Sequence, residues 1–171
     1  MSIAFTACAM ATQPDSLSVW CSAGFGQSSY TDQSEGMKAS GNLGFGLSYS
    51  HFVFKYERRV NGIYFIWDDY ASTANSHEML LGLITPVRKL RAGINIGIGS
   101  LEQTTRVRLP SSDGAIPQYE MVSRSAMCVP IEIEISRTYE GFIGLSFTGF
   151  SVISHFKPIV GIHATLMLGY L

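Results

Sequence analysis

The sequence predicts an all-β fold, an eight-stranded antiparallel up-and-down transmembrane β-barrel, on three observations. Apolar residues alternate with polar or small ones in stretch after stretch. No stretch is apolar enough for a helical membrane span, and the connections between stretches are alternately long and short. Alternation marks a strand, because successive side chains point to opposite faces. Long loops on one rim and short turns on the other are what an up-and-down barrel of the outer-membrane kind requires.

The most regular stretch is Cys128 to Ser136, CVPIEIEIS. Val129, Ile131, Ile133 and Ile135 share one face, and Pro130, Glu132, Glu134 and Ser136 share the other. Two glutamates beside a line of β-branched residues require one face in hydrocarbon and the other in a wet or hydrogen-bonded place.

The remaining strands follow in chain order. Leu17 to Ser28 sets Leu17, Val19, Cys21, Ala23 and Phe25 against Ser18, Ser22, Gly24 and Gly26, with Trp20 as the one large residue on the small face. Ser29 to Ser40 is a polar run without period and is expected to be a loop. Gly41 to Tyr56 reads as one strand whose apolar phase slips after His51, the effect of a β-bulge. Asn61-Gly62 then reads as a tight hairpin turn leading into Ile63 to Asp68. A polar loop through Asn75 returns the chain to Met79, Leu81 and Leu83, closed by Thr85 to Lys89. Leu90 to Ser100 alternates Ala92, Ile94, Ile96 and Ile98 with Arg91, Gly93, Asn95, Gly97 and Gly99. Leu101 to Arg124, with Pro110, Pro117 and a Ser-Ser-Asp-Gly run, reads as the longest loop. Beyond Cys128 to Ser136 come a short turn at Arg137 to Gly141, a strand at Phe142 to Phe150, a connection through Pro158, and a last strand from Val160 to Tyr170.

Composition narrows the function. Charged residues are 15% of the 171, hydrophobic residues 46%, and the formal net charge is −1. An average soluble domain carries roughly 25% charged residues, so this chain has little to show to water. No basic field points to nucleic acid. The polar faces carry Gly, Ser, Asn and Thr rather than the Lys and Glu of a solvated surface, and small residues suit the crowded interior of an eight-stranded barrel. The expected partner of the apolar face is therefore outer-membrane lipid, and the long loops are expected to reach an extracellular ligand or protein.

By parity Arg91, Asn95, Glu132, Glu134, His163 and Thr165 form a candidate polar cluster in the lumen, with Glu78 also inward. Buried charge must be paired, which makes Arg91 the expected partner of a glutamate. Residues 1–11, MSIAFTACAMA, are short, apolar and rich in small residues, with Ala9-Met10-Ala11 in the form of a signal-peptidase site. They read as the remnant of a bacterial secretion signal before a single barrel domain over 12–171. Cys21 and Cys128 fall on opposite faces, which disfavours a disulfide, and Cys8 lies in the leader. Cysteine spacing fits no metal site, and no cofactor motif is found.

From Gly41 onward the chain resembles the small outer-membrane β-barrel domain proteins of Bacteroidetes-type bacteria. The resemblance rests on GNLGFGLSY, GINIGIG, VPIEIEI and the closing L-x-L-G-x-L strand, and covers about three quarters of the chain. It implies location and architecture rather than activity. Two enzyme families share the architecture. Lipid A deacylase barrels carry a His-x-Ser pair, where this chain has only His163-Ala164-Thr165, and palmitoyltransferase barrels use a His with an Asp-Ser pair, matched here only by Asp15-Ser16 ahead of the first strand. The expected protein is an outer-membrane barrel of structural or interaction type with a lumen filled by side chains and no assigned chemistry. The alternatives are a soluble or periplasmic barrel binding an apolar ligand and a lipid-modifying outer-membrane enzyme.

Overall fold

The computed structural model describes residues 17–31, 36–63, 73–87, 90–108, 119–139 and 141–171. Eight strands run in sequence order: β1 (Leu17–Tyr30), β2 (Lys38–Tyr49), β3 (Phe52–Ile63), β4 (Thr73–Val87), β5 (Leu90–Arg108), β6 (Tyr119–Tyr139), β7 (Ile143–Ser154) and β8 (Ile159–Tyr170). Each pairs antiparallel with the next, and β8 returns to β1 from Val19↔Tyr170 to Tyr30↔Ile159, closing the sheet. Closure leaves no unpaired edge. Among the described residues there is no helix.

The faces follow the alternation read from the sequence. Leu81, Ile133 and Phe147 point outward and expose 66%, 63% and 69% of their surface, whereas Arg59, Glu78 and Glu132 point inward and expose none. A soluble ligand-binding barrel would carry the opposite arrangement, so that alternative is set aside. Cys21 lies outside and Cys128 inside, both as free thiols. Pro130 faces inward as expected, and the paired register of β5 and β6 is interrupted where it and Val129 meet Gly97 and Ile98. Proline has no N–H to give the ladder.

One pair of expected features is exchanged. The phase slip at His51 is a hairpin, with Tyr49 paired to Phe52 and Ser50 and His51 forming the turn. Ser50 takes the left-handed conformation, φ 56°, and its Oγ lies 3.0 Å from His51 Nδ1. Asn61-Gly62, expected to be the hairpin, lies inside β3, where Gly62 at φ 86° is the extra residue of a β-bulge opposite Ala39 and Ser40. A two-residue turn and a one-residue bulge both shift apolar phase by one, and a glycine with positive φ serves either. The strand expected at Ile63 to Asp68 otherwise lies outside the described residues, as does the leader over 1–11.

Leu101 to Arg124 is not wholly a loop. β5 continues to Arg108 and β6 begins at Tyr119, so a long hairpin stands above the rest of the barrel. Both faces of a projecting hairpin are wet, so its sequence has no apolar period to read. The alternation of connection lengths holds: at one end successive strands are separated by 2, 2 and 3 residues, and at the other by 7, 9, 10 and 4.

The outward face yields a direct test. Replacing Ile133 by Arg should destabilise the barrel folded into lipid by about 2 to 4 kcal/mol, the cost of a midplane charge facing hydrocarbon, whereas Ile133→Leu should be nearly neutral. Urea titrations in liposomes measure both, and equal stabilities would mean that this face does not meet lipid.

Candidate functional site

The lumen is filled in layers. Near the short-turn rim Trp20, Val53 and Met167 pack together, with Ile84 and Leu171 against them. Trp20 is possible there because Gly46 faces it across the β1–β2 ladder, where an added Cβ would strike the indole ring. Near the long-loop rim Tyr30, Ala74, Leu101, Cys128, Phe150, Val152 and Ile159 form a second apolar layer, and Phe156 packs on it.

Between the layers lies an ion-pair network. Lys55, Glu57 and Arg59 alternate along β3 with Phe54, Tyr56 and Arg58 and therefore share the inward face. Lys55 Nζ bonds Glu134 Oε2, bonds Glu132 Oε2 at 3.2 Å and lies 3.9 Å from Glu57. Arg59 Nη1 reaches both Glu78 oxygens, at 3.0 and 2.8 Å, while Nη2 donates to Glu57 Oε2 at 2.9 Å and to Glu132 Oε1. The guanidinium carbon sits 4.1 Å from the Phe150 ring centroid, which gives it a π face, while its Nε has no hydrogen-bond partner among the described residues. Ser76 donates to Glu78, and the Asn42 and Asn95 amides donate to Glu57 and Glu132 at 3.3 Å each. Two cations on β3 thus tie together carboxylates from β3, β4 and β6, across the lumen.

The residues singled out from the sequence divide accordingly. Asn95, Glu132 and Glu134 are in the network. His163 is buried beside it, with Nε2 at 2.7 Å from Ser40 Oγ and its ring 4.7 Å from that of Phe150. Thr165 is buried on the same strand, its hydroxyl without a hydrogen-bond partner among the described residues. Arg91 does not join them. It pairs with Ser136 near the short-turn rim, four residues along β6 from Glu132, and stays half-buried. Glu78 is inward as expected.

The true partners, Lys55 and Arg59, escape a reading that ends a strand at Tyr56 and turns at Gly62. The signal was present: Val53, Lys55, Glu57, Arg59 and Asn61 alternate with Phe52, Phe54 and Tyr56 once the chain turns at Ser50. Ser40 and His163 were likewise missed as a pair, since 123 residues separate them in sequence. Ser40 is fully buried, and His163 Nδ1 meets no carboxylate among the described residues. An external substrate cannot reach that hydroxyl, and no acid orients the imidazole.

Comparison with solved structures decides the architecture. Neisserial surface protein A aligns over 91% of this chain and 99% of its own, with a TM-score of 0.63 at 10% identity. The fold is that of a small outer-membrane barrel. Ail, the attachment invasion locus protein of Yersinia pestis, aligns over 92% of this chain and 99% of its own, with a TM-score of 0.58 at 11% identity. The N-terminal β-barrel domain of Pseudomonas aeruginosa OprF covers 89% and 97%, with a TM-score of 0.56 at 10% identity. No family model matches the sequence. No curated protein matches it either. At such identities the likeness is one of fold.

The network sets unequal costs on its members. Arg59→Met leaves Glu78, Glu57 and Glu132 without their shared cation and should cost about 3 to 5 kcal/mol, as removal of one partner from a buried ion pair does. Arg91→Ala should stay within about 0.5 kcal/mol. Refolding titrations in lipid compare them, and a larger loss at Arg91 would overturn the pairing described.

Proposed function

We propose that this chain is an outer-membrane protein of structural or interaction type, of the kind its sequence resembles in Bacteroidetes-type bacteria, exported through a leader near residues 1–11. The observation that carries this reading is the inversion of its surfaces, with Leu, Ile and Phe outside and a cross-linked set of ion pairs within. Such an exterior suits hydrocarbon, and such an interior suits only a place shielded from it. Membrane lipid is then the partner of the outer face.

With the lumen occupied by the Lys55 and Arg59 network between two apolar layers, the reading assigns it a plug rather than a path. Interaction falls to the long-loop rim, where the barrel projects farthest. Ail has been solved in complex with the heparin analogue sucrose octasulfate, and its structure covers 90% of this chain with a TM-score of 0.54. An external ligand or protein bound at that rim is the corresponding expectation here. The reading as a lipid-modifying enzyme has less support, because the Ser40 and His163 pair is enclosed.

Fractionation of cells followed by gel mobility with and without boiling tests the location. The protein should enter the outer-membrane fraction and shift on heating, and a soluble periplasmic pool without a shift would sink the reading. In planar bilayers the pure protein should give no steady conductance. Stable channels whose current scales with salt would defeat the plug and recast Glu132 and Glu134 as pore-lining groups.

A further inference from the structure

The outer face carries a notch among its large apolar residues. Along β7 the outward row runs Ile143, Leu145, Phe147, Gly149, Ser151 and Ile153, so it drops to no side chain at Gly149 and a small one at Ser151 before rising again. A Cβ added at Gly149 would meet nothing within 4 Å. The neighbouring strands supply walls. Ile133 of β6 and Ile162 of β8 pair with Gly149, and Ile131 and Val160 pair with Ser151 in the same way. The resulting groove has a volume of about 850 Å³ and extends to Gln27 and Ser29 on β1.

The shape selects an occupant. Strands in a sheet lie about 4.8 Å apart, so the ridges on either side of β7 stand about 10 Å from each other, which leaves room between their side chains for one hydrocarbon chain. In hydrocarbon the hydrophobic effect does not favour one position over another, and what remains is contact. A chain on the flat part of the barrel touches one wall, whereas a chain in this groove touches a floor and two β-branched ridges, with the dispersion attraction of all three. A second barrel is the poorer fit, because a stable interface needs about 800 Å² on each partner and this notch spans only Gly149 and Ser151 along β7.

Polar groups give the groove a direction. Ser151 and Ser29 share the row nearer the long-loop rim, and Gln27 pairs with Ile162. Ser29 Oγ already donates to the Tyr30 carbonyl at 3.0 Å. The Ser151 hydroxyl and the Gln27 amide can donate to a carbonyl oxygen. Donors on an otherwise apolar wall fit the ester that joins an acyl chain to its headgroup, since a polar group in hydrocarbon needs a partner.

We propose that this groove seats one ester-linked acyl chain of a membrane lipid, with the ester at Ser151 and Gln27 and the chain lying over Gly149 toward the short-turn rim. The proposal rests on the reading of the outer face as the lipid-facing one. It adds that lipid contact is uneven around the barrel: one chain is held where β7 leaves room for it, and its neighbours exchange freely.

The full chain and its variants, refolded in detergent and verified by their heat-dependent gel shift, are titrated with a diacyl phosphatidylethanolamine or with its dialkyl ether analogue, which lacks the ester carbonyls. Native mass spectrometry counts the lipids retained. One diacyl lipid per chain should persist at collision energies that strip the rest. The ether analogue should be retained about five- to tenfold less well, the worth of one hydrogen bond in apolar surroundings, and Ser151→Ala combined with Gln27→Leu should erase that difference. Gly149→Leu fills the groove where the backbone leaves open space and should abolish the retained lipid. Ala23→Leu, which adds bulk elsewhere on the outer face between Leu43 and Leu166, should keep it. Wild-type retention by Gly149→Leu, or equal retention of ester and ether lipids by the wild-type chain, would overturn the site and leave the membrane barrel standing. A dimer that Gly149→Leu dissociates would give the notch to a second copy and overturn the lipid. Absence of the heat shift in the wild-type chain would instead remove the barrel reading on which the site depends.

Discussion

Two cations held in a barrel interior set the terms for the rest of the structure. Taking Arg59 and Lys55 out of water costs several kcal/mol each unless the interior returns their hydrogen bonds. That return comes from four carboxylates, Glu57, Glu78, Glu132 and Glu134, on three strands. Since β3 and β6 are not neighbours in the sheet, the pairs of Lys55 and Arg59 with Glu132 and Glu134 form only when the barrel closes in the right register. A shift of β6 by one residue would turn both glutamates outward, leaving Lys55 only Glu57 at 3.9 Å and Arg59 only Glu57 and Glu78. The network thereby specifies register even where its net stabilisation is small.

Small residues make the arrangement possible. An eight-stranded barrel has an interior just wide enough for side chains to fill, so each long side chain needs a short one opposite. Trp20 lies over Gly46 in this way. The same economy explains the sequence's low charge and its many glycines: large residues are concentrated on the outer face, and the inner face alternates a few long polar groups with space for them. The outer and inner apolar layers then shield the ion pairs from water at both ends, which keeps their mutual attraction from being screened.

How much of this was legible follows from which residues carry a period. Strands with one apolar face, such as Cys128 to Ser136 and Leu90 to Ser100, announced both their existence and their orientation. The β2–β3 hairpin was not legible as a turn, because Ser50-His51 has neither Gly nor Asn and the chain accepts a positive φ at a serine. The glycine that did look like a turn, Gly62, spends its conformational freedom on a bulge. That single exchange hid Lys55 and Arg59, so Arg91 was left as the only visible cation for the glutamates. The upper parts of β5 and β6 were illegible for a different reason. With water on both sides, nothing in the physics selects an alternating pattern there.

The division of the interior also bears on where function can reside. Between Trp20 at one end and Phe150 with Leu101 at the other, the charged groups Lys55, Glu57, Arg59, Glu78, Glu132 and Glu134 have one another as partners, and removing one of them to open a path would strand buried charge. Evolutionary freedom to bind something therefore lies outside the sealed segment. Above the outer apolar layer the same inward rows of β5 and β6 continue with Gln103, Val122 and Arg124; the Gln103 amide still reaches across to the Tyr30 hydroxyl at 3.2 Å, but the ion-pair network does not extend to this level. A strand that satisfies the barrel below can present recognition groups above, with the change of role set by the plane at which water replaces side chains as the neighbour. In this chain that plane lies between Leu101, buried in the apolar layer, and Gln103, half-buried above it.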